Sequence, residues 1–377
     1  MAVNDRIGAM LPEMTKWRRE LHTFPETAFT EKETSDFVAE KLKSFGLDVD
    51  RGLAGTGVVA TIRRGRGKSQ AIGLRSDMDA LDITEATGLP YASRNEGKMH
   101  ACGHDGHMAM LLGAAKYLAA NDTFDGTVHF IFQPAEENEG GGGRMVREGL
   151  FERFPVRSVF GLHNFPLLPE GAFAICRGPM MAAYDVFDIE IKGKGGHAAT
   201  PQYVKDPIVA SAYLVNLLQS VVSRDINPTQ GAVVSVTEIH GGTSYNIIPD
   251  TVRLRGTTRH FLAAVQDRVE ERMCGICAGL SASLDIAVDI KYERRYPALV
   301  NTDRETDEAV RAARIVAGDD RVFSEITPNM TSEDFAFFLK EKPGAYIGIG
   351  GGNPKETGRL HQALYDFNDR ILPIGAS

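Results

Sequence analysis

The stretch Gly126-Thr-Val-His-Phe-Ile-Phe-Gln133, followed at once by Pro134-Ala-Glu-Glu-Asn-Glu139 and Gly140-Gly-Gly-Gly143, sets the reading of this chain. Its β-branched and aromatic run, bounded by proline and glycine, predicts a buried strand. Two adjacent carboxylates, Glu136 and Glu137, follow it, and placing them there is unfavourable unless a cation or a proton compensates them. That pattern suits a metal ligand beside a general base. The four glycines are not followed by the Gly-Lys-Ser/Thr of a phosphate cradle, which leaves a mobile or closely approached loop before helical signals resume at Arg144.

Towards the N-terminus, Ala71-Ile-Gly-Leu-Arg-Ser-Asp-Met-Asp-Ala-Leu81 predicts a second strand, and the two-residue period places Asp77 and Asp79 on one side of its carboxyl end. Between the two strands, Met99-His-Ala-Cys-Gly-His-Asp-Gly-His107 gathers a thiol, three imidazoles and a carboxylate. Cys102 and His104 are donors that a borderline-soft divalent metal prefers, on a turn made supple by Gly103 and Gly106. Met108–Ala120 then predicts a buried helix. Beyond Gly143, the strand Ser158–Leu162 delivers His163 and Asn164 to its end. Alternating strand and helix indicates an α/β fold with a mainly parallel sheet, in which ligands bind outside the carboxyl ends of the strands.

Other segments complete this frame. Residues 10–45 read as amphipathic helices broken at Pro25, with His22 and Glu26 as ordinary surface polarity. A strand at Gly57–Ile62 leads into a basic turn at Arg63–Lys68. From residue 183 the rhythm changes to strand 184–191, helix 207–218, strands 232–239 and 250–258, helix 262–280 and strand 284–292. This β-α-β-β-α-β order is that of a ferredoxin-like α+β domain. It predicts an insertion at 183–296 within a domain built from 1–182 and 297–377. Cys274-Gly-Ile-Cys277 falls inside the 262–280 helix with no second pair, and packing accounts for it better than redox or zinc chemistry.

Composition narrows the function classes. A hydrophobic fraction of 43% and a charged fraction of 24% over 377 residues describe a folded chain large enough for two domains. A net charge of −8 without a basic stripe disfavours nucleic acid and anionic membrane and leaves small molecules as the expected ligands. Met1–Met10 has no signal-peptide pattern, no apolar run has transmembrane length, and four unevenly placed cysteines suit a reducing compartment, so a cytoplasmic protein is expected.

Cys102, His104, Glu137, His163 and His361 are five candidate ligands, more than a single closed zinc site uses. Two metals sharing a ligand and a water fit that number better, as in two-metal hydrolytic sites. Glu136 would then take a proton from the water and pass it to the leaving nitrogen.

Ser76-Asp-Met-Asp-Ala-Leu81, Met99–His107, Gln133-Pro-Ala-Glu-Glu137, Gly195-Gly-His-Ala-Ala199, Asn246-Ile-Ile-Pro-Asp250 and Ser332-Glu-Asp-Phe335 occur in that order. Together they closely resemble the di-metal amidohydrolases that include hippurate hydrolase, bacterial N-acyl-amino-acid amidohydrolases and plant auxin-amide hydrolases, within the aminoacylase and carboxypeptidase superfamily. The resemblance spans essentially the whole chain. It implies a zinc-exopeptidase-like catalytic domain, an inserted lid that makes a homodimer, and two divalent ions, whether zinc, manganese, cobalt or nickel. It carries the metal ligands over to Cys102, His104, Glu137, His163 and His361, the base to Glu136, and an orienting acid to Asp79. Asp77 stands where the wider superfamily has a metal-binding histidine, and its bridging aspartate is likewise unmatched; the Cys102 thiolate is one candidate to replace it, and the resemblance leaves open which ligand bridges. His197 is expected to reach the neighbouring subunit's site and stabilise the oxyanion. Asn246 and Arg259 are expected to hold substrate oxygen atoms. His100, His107 and His240 are left as neighbours or structural residues. The expected reaction is hydrolysis of the amide of N-acyl-L-amino acids. The rivals are a dipeptidase or an N-acetyl-diaminopimelate-type deacetylase and, in another class, a non-catalytic metal-binding protein, against which the retained Glu136 argues.

Overall fold

The computed structural model describes residues 4–65, 71–121, 124–137, 139–352 and 358–377. The chain divides into two compact units, one of residues 1–180, 300–328 and 334–377, the other of 181–299 with 329–333.

The first unit is built on a mixed sheet whose described strands run, in spatial order, Asp48–Leu53, Gly57–Arg64, Gly126–Gln133, Ala71–Asp77, Ser158–Phe165, Gly344–Gly350, Phe173–Ala174 and Val322–Phe323. Its centre is parallel: Ala71–Asp77 lies between Gly126–Gln133 and Ser158–Phe165, and Gly344–Gly350 continues beside the latter. Val128–Gln133 is buried throughout, as expected of a strand covered on both faces. Register puts Asp77 opposite Gln133 and His163 opposite Gly348, so the ends that carry the candidate donors share one edge of the sheet. Asp48–Leu53 escapes the sequence reading because it is a partly exposed, charged strand at the antiparallel margin.

Four local expectations change. The buried helix begins at His104 and runs to Ala119, so His104 and Gly106 belong to its first turn rather than to a supple loop. The glycine run opens a helix, Gly141–Arg147, instead of forming a mobile loop; a Cβ on Gly141 would lie 1.8 Å from the Pro134 carbonyl oxygen, so close approach is its reason. His22 is fully buried rather than surface polar: Nδ1 is 2.8 Å from Asp105 Oδ2, and Nε2 is 3.3 Å from Glu85 Oε2. Arg63 and Arg64 continue their strand, and residues 66–68 of the expected basic turn lie outside the described residues.

The second unit has an antiparallel sheet in the order Ala232–His240, Thr251–His260, Ala183–Lys192, Ala287–Tyr296. Alternation along Ala183–Lys192 sends Phe187, Ile189 and Ile191 into a core shared with Ala210, Leu214 and Leu218 of the helix Pro207–Ser220 and with Val265, Val269 and Met273 of the helix Ala263–Leu284. That second helix runs four residues beyond its expected end and stops where Asp285 takes a left-handed conformation (φ 47°), so the last strand starts at Ala287. Cys277 packs in this core, and Cys274, one turn away, is exposed; both are free thiols.

Candidate metal centre

The site is assembled where the parallel strands of the first unit end. Gly103 (φ 90°) turns the chain from Cys102 into the helix, and a Cβ there would come within 2.4 Å of Asn164 Nδ2. Asn164 uses that closeness: its Nδ2 donates to the Cys102 carbonyl at 2.7 Å, and Tyr365 donates its hydroxyl to Asn164 Oδ1 at 2.7 Å.

Hydrogen bonds fix which imidazole nitrogens remain available. His104 donates from Nδ1 to the Asp79 carbonyl at 2.8 Å, leaving Nε2 buried and, among the described residues, without a hydrogen-bond partner. His163 donates from Nδ1 to the Asn164 carbonyl at 2.8 Å and turns Nε2 to within 3.4 Å of Cys102 Sγ. A histidine held by one nitrogen on a carbonyl, with the other exposed to a cluster of donors, has the tautomer of a metal ligand. His107 differs. Its Nε2 accepts the Asn164 backbone N–H at 2.9 Å and its Nδ1 donates to Asp77 Oδ1 at 2.7 Å. Asp77, His104, His107 and His163 are close enough to surround an ion, yet His107 has no free lone pair to offer.

Asp77 is buried and also receives Arg75 Nη1 at 2.8 Å. Burial opposes its ionisation, but His104, His107 and Arg75 outweigh that and hold the carboxyl well below the usual range. The sequence reading passed over Arg75, whose signal was a cation inside an apolar strand. Its guanidinium also meets Gln133 Oε1 at 2.9 Å and Asp334 Oδ1 at 3.2 Å.

Glu136 and Glu137 leave the neighbouring strand through Ala135, which is left-handed (φ 54°). Asp79 Oδ2 accepts the Glu137 N–H at 2.9 Å, so one aspartate orients both His104 and Glu137. Glu137 Oε1 is buried, lies 3.1 Å from His361 Nε2 and, among the described residues, has no hydrogen bond. His361 is itself left-handed (φ 60°), with its N–H on the Ala101 carbonyl at 2.8 Å. Glu136 is 7% exposed and accepts the Asp334 N–H at 3.3 Å.

Cys102, Glu137 and His361 each offer an atom within 4.8 Å of the others, and so do His104, Glu136 and Glu137. Cys102 is thus near donor atoms of Glu137 and His361 and also, at 3.4 Å, of His163. Burial, then Glu137, Glu136 and Asp77, push the Cys102 thiol well above its ordinary pKa. Burial and His107 push His163 well below. Burial also lowers His104, but Asp77, Asp79 and Glu137 overcome it and bring the group to about 10. Burial leads each of these shifts, and the nearby carboxylates add to it at Cys102 and oppose it at His104. Divalent cations bound among these donors would offset the carboxylates and select the thiolate and the unprotonated imidazoles. The His104 nitrogen and the Glu137 oxygen, which make no hydrogen bond among the described residues, fit that occupancy.

In the second unit, His197 and Asn246 are neighbours on a short ribbon of Gly196–His197 against Ile247–Ile248. Ala198 N–H donates to the Asn246 carbonyl at 3.0 Å, and Ala199 N–H donates to His197 Nδ1 at 3.1 Å, so the exposed ring presents Nε2 as its donor. Arg259 is not gathered with them. It sits at the far end of the Thr251–His260 strand, on the order of 25 Å from its start. There the guanidinium stacks 4.3 Å over Tyr184 and donates to Thr257 Oγ1 and the Thr258 carbonyl. His240 is exposed beside Glu238, and His100 is buried, its pKa lowered to about 4 chiefly by burial.

The profile of Peptidase family M20/M25/M40 matches residues 73–377. Hippurate hydrolase of Campylobacter jejuni subsp. jejuni is 41% identical over 365 residues, covering 97% of this chain and 94% of that protein. N-acetyl-L-cysteine deacetylase of Bacillus subtilis is 40% identical over 337 residues, covering 88% and 79%. The solved structure of the Bacillus subtilis YXEP protein, described as a dinuclear metal binding peptidase from the M20 family, matches with a TM-score of 0.83 at 34% identity, covering 98% of this chain and 96% of that one. The buried thiol, imidazole and carboxylate donors thus belong to a chain that is a member of peptidase family M20/M25/M40.

Proposed function

We propose that this protein hydrolyses the amide bond of N-acyl-L-amino acids, releasing a carboxylic acid and the free amino acid. The observation that carries this reading is Glu136, a buried carboxylate within 4.8 Å of donor atoms of His104 and Glu137, in a chain whose relatives include a hippurate hydrolase and an N-acetyl-L-cysteine deacetylase.

Cys102, Glu137 and His361 would hold one divalent ion and His104 and His163 a second. When bound, such ions polarise the scissile carbonyl and make water acidic near neutral pH. Zinc, manganese, cobalt and nickel are the candidates. Glu136 takes a proton from the attacking water as its oxygen bonds to the acyl carbon, then gives that proton to the nitrogen as the C–N bond breaks. Asp334 N–H steadies Glu136, and Asp79 orients His104 and Glu137.

His197 Nε2–H donates to the developing oxyanion, and Asn246 beside it holds a substrate oxygen. Arg259, its guanidinium plane set by Tyr184, pairs with the free carboxylate. The length of the Thr251–His260 strand separates Arg259 from the His197 ribbon by more than an N-acyl amino acid spans, which favours one substrate drawing the two groups from different subunits. A homodimer suits the helix Pro207–Ser220 as well: Val209, Tyr213 and Leu217 stand four residues apart on one face and are 48%, 56% and 42% exposed. The free cysteines suit a cytoplasmic setting, and among the described residues no helix is long and apolar enough to cross a membrane.

The test is a panel of benzoyl-, acetyl-, longer-acyl and indole-acyl amino acids, assayed after metal removal and again after zinc, manganese, cobalt or nickel is restored. Turnover that vanishes with the metal and returns with it is expected. No hydrolysis of any member with any metal would overturn the reading.

A further inference from the structure

Glu31 is a fully buried carboxylate that no step above uses. Its Oε1 accepts two backbone N–H groups, from Phe29 at 3.0 Å and from Ala135 at 2.9 Å, and its Oε2 accepts the Thr56 hydroxyl at 2.7 Å. Both residues whose N–H it takes are left-handed, Phe29 at φ 59° and Ala135 at φ 54°. A side chain with a Cβ is disfavoured in that region and persists there only where its surroundings hold it. One oxygen therefore pins two strained positions, and the second of them immediately precedes Glu136.

The turn is closed from its other side as well. Gly141 N–H donates to the Ala135 carbonyl at 2.9 Å. The segment that carries Glu31 is anchored to the acidic strand end, since Thr27 bridges Ala80 and Ala80 N–H donates to the Glu26 carbonyl at 2.8 Å. Glu31 thus braces the Pro134–Glu137 turn against the chain that carries Asp77 and Asp79.

We propose that Glu31 is a positioning residue for Glu136: by holding the Ala135 N–H it fixes the left-handed turn and so the direction in which Glu136 leaves its strand. This rests on the reading of Glu136 as the base. Glu31 acts through geometry, and a neutral group of the same shape can replace it. Burial, then the charge of Asp79, already push its carboxyl up to about 7. A glutamine keeps one oxygen for the two N–H donors and turns its NH2 towards Thr56.

The experiment compares wild type, E31A and E31Q as metal-loaded proteins by steady-state kinetics, metal content and amide hydrogen exchange of the peptide covering residues 134–137. In E31A, kcat should fall about a hundredfold, the loss that goes with misplacing a reacting group by about 1 Å, with KM within about threefold and, because Asp79 Oδ2 separately holds the Glu137 N–H, bound metal unchanged at saturating metal. The peptide should exchange about tenfold faster as its turn opens locally. E31Q should stay within about threefold of wild type in every readout. If E31A does not fold, E31D carries the same test, because the shorter acid cannot reach all three donors. Unchanged kcat and exchange in E31A, a loss fully restored by added metal, or an E31Q as impaired as E31A would each overturn the proposal. A wild type inactive on every N-acyl amino acid would overturn the functional reading instead, and the exchange rates would still decide whether Glu31 holds the turn.

Discussion

The donors of the first unit and the His197 ribbon of the second both rely on histidine, yet they are held differently. His104 and His163 are buried, and each spends one nitrogen on a backbone carbonyl that fixes its ring. His197 is exposed, and the ring bond that holds it comes from Ala199, two residues on. The first arrangement gathers its candidate donors within its own unit. The second presents a donor outward, and the role proposed for it needs another surface, which the proposed dimer would supply.

The largest expected effect separates the two at once. Cys102→Ala should strip at least one ion from each chain and lower kcat/KM on the order of a thousandfold, whereas His197→Ala should leave metal content untouched and lower kcat about a hundredfold. Metal analysis beside kinetics reads both. Equal metal loss in the two variants would erase the contrast. Mixing His197→Ala with Glu136→Gln subunits sharpens it further. Half of the re-formed dimers are mixed and each has one complete site of two, so activity should recover to about a quarter of wild type. No recovery on mixing would place His197 in its own subunit's site or outside the reaction.

The smallest expected effect concerns the polar layer behind the ligand helix. Burial lowers the His22 pKa, but Asp105 and Glu85 override it and raise the group from 6.5 to about 9. A folded-state pKa above the unfolded one means that the native protein binds the extra proton. The stabilisation is therefore complete below about pH 6.5 and is lost as pH rises through about 9. Urea midpoints followed from pH 6 to pH 9.5 should fall for wild type relative to His22→Gln. Parallel curves would show that His22 is held by packing alone.

How far the sequence discloses the molecule depends on the range of the interaction involved. The α/β architecture follows from strand periodicity and from acids placed at strand ends, and the ferredoxin-like order of the second unit from its alternating patterns. These are local signals, and the structure follows them closely. The candidate metal donors stand out because thiol, imidazole and carboxylate at strand ends have few structural uses. What stayed hidden was pairing over long sequence separations. Nothing near His22 announces Asp105, nothing near Glu31 announces Ala135, and the Ser332–Phe335 motif gave no sign that Asp334 joins Arg75, Gln133 and the Glu136 loop. At 140–143 the close approach expected of the glycines holds, Gly141 lying against Pro134, while the loop expected there is the start of a helix, because spacing does not reveal which neighbours the glycines meet.

The proposed reaction turns on Glu136, and Glu136→Gln, an isosteric change, tests it most directly. Turnover of the best N-acyl amino acid and the metal bound per chain should be measured on the same sample. The expected result is a fall in kcat on the order of a thousandfold with two divalent ions still bound. A variant that keeps its metal and turns over at close to the wild-type rate would contradict the assignment of Glu136 as the base.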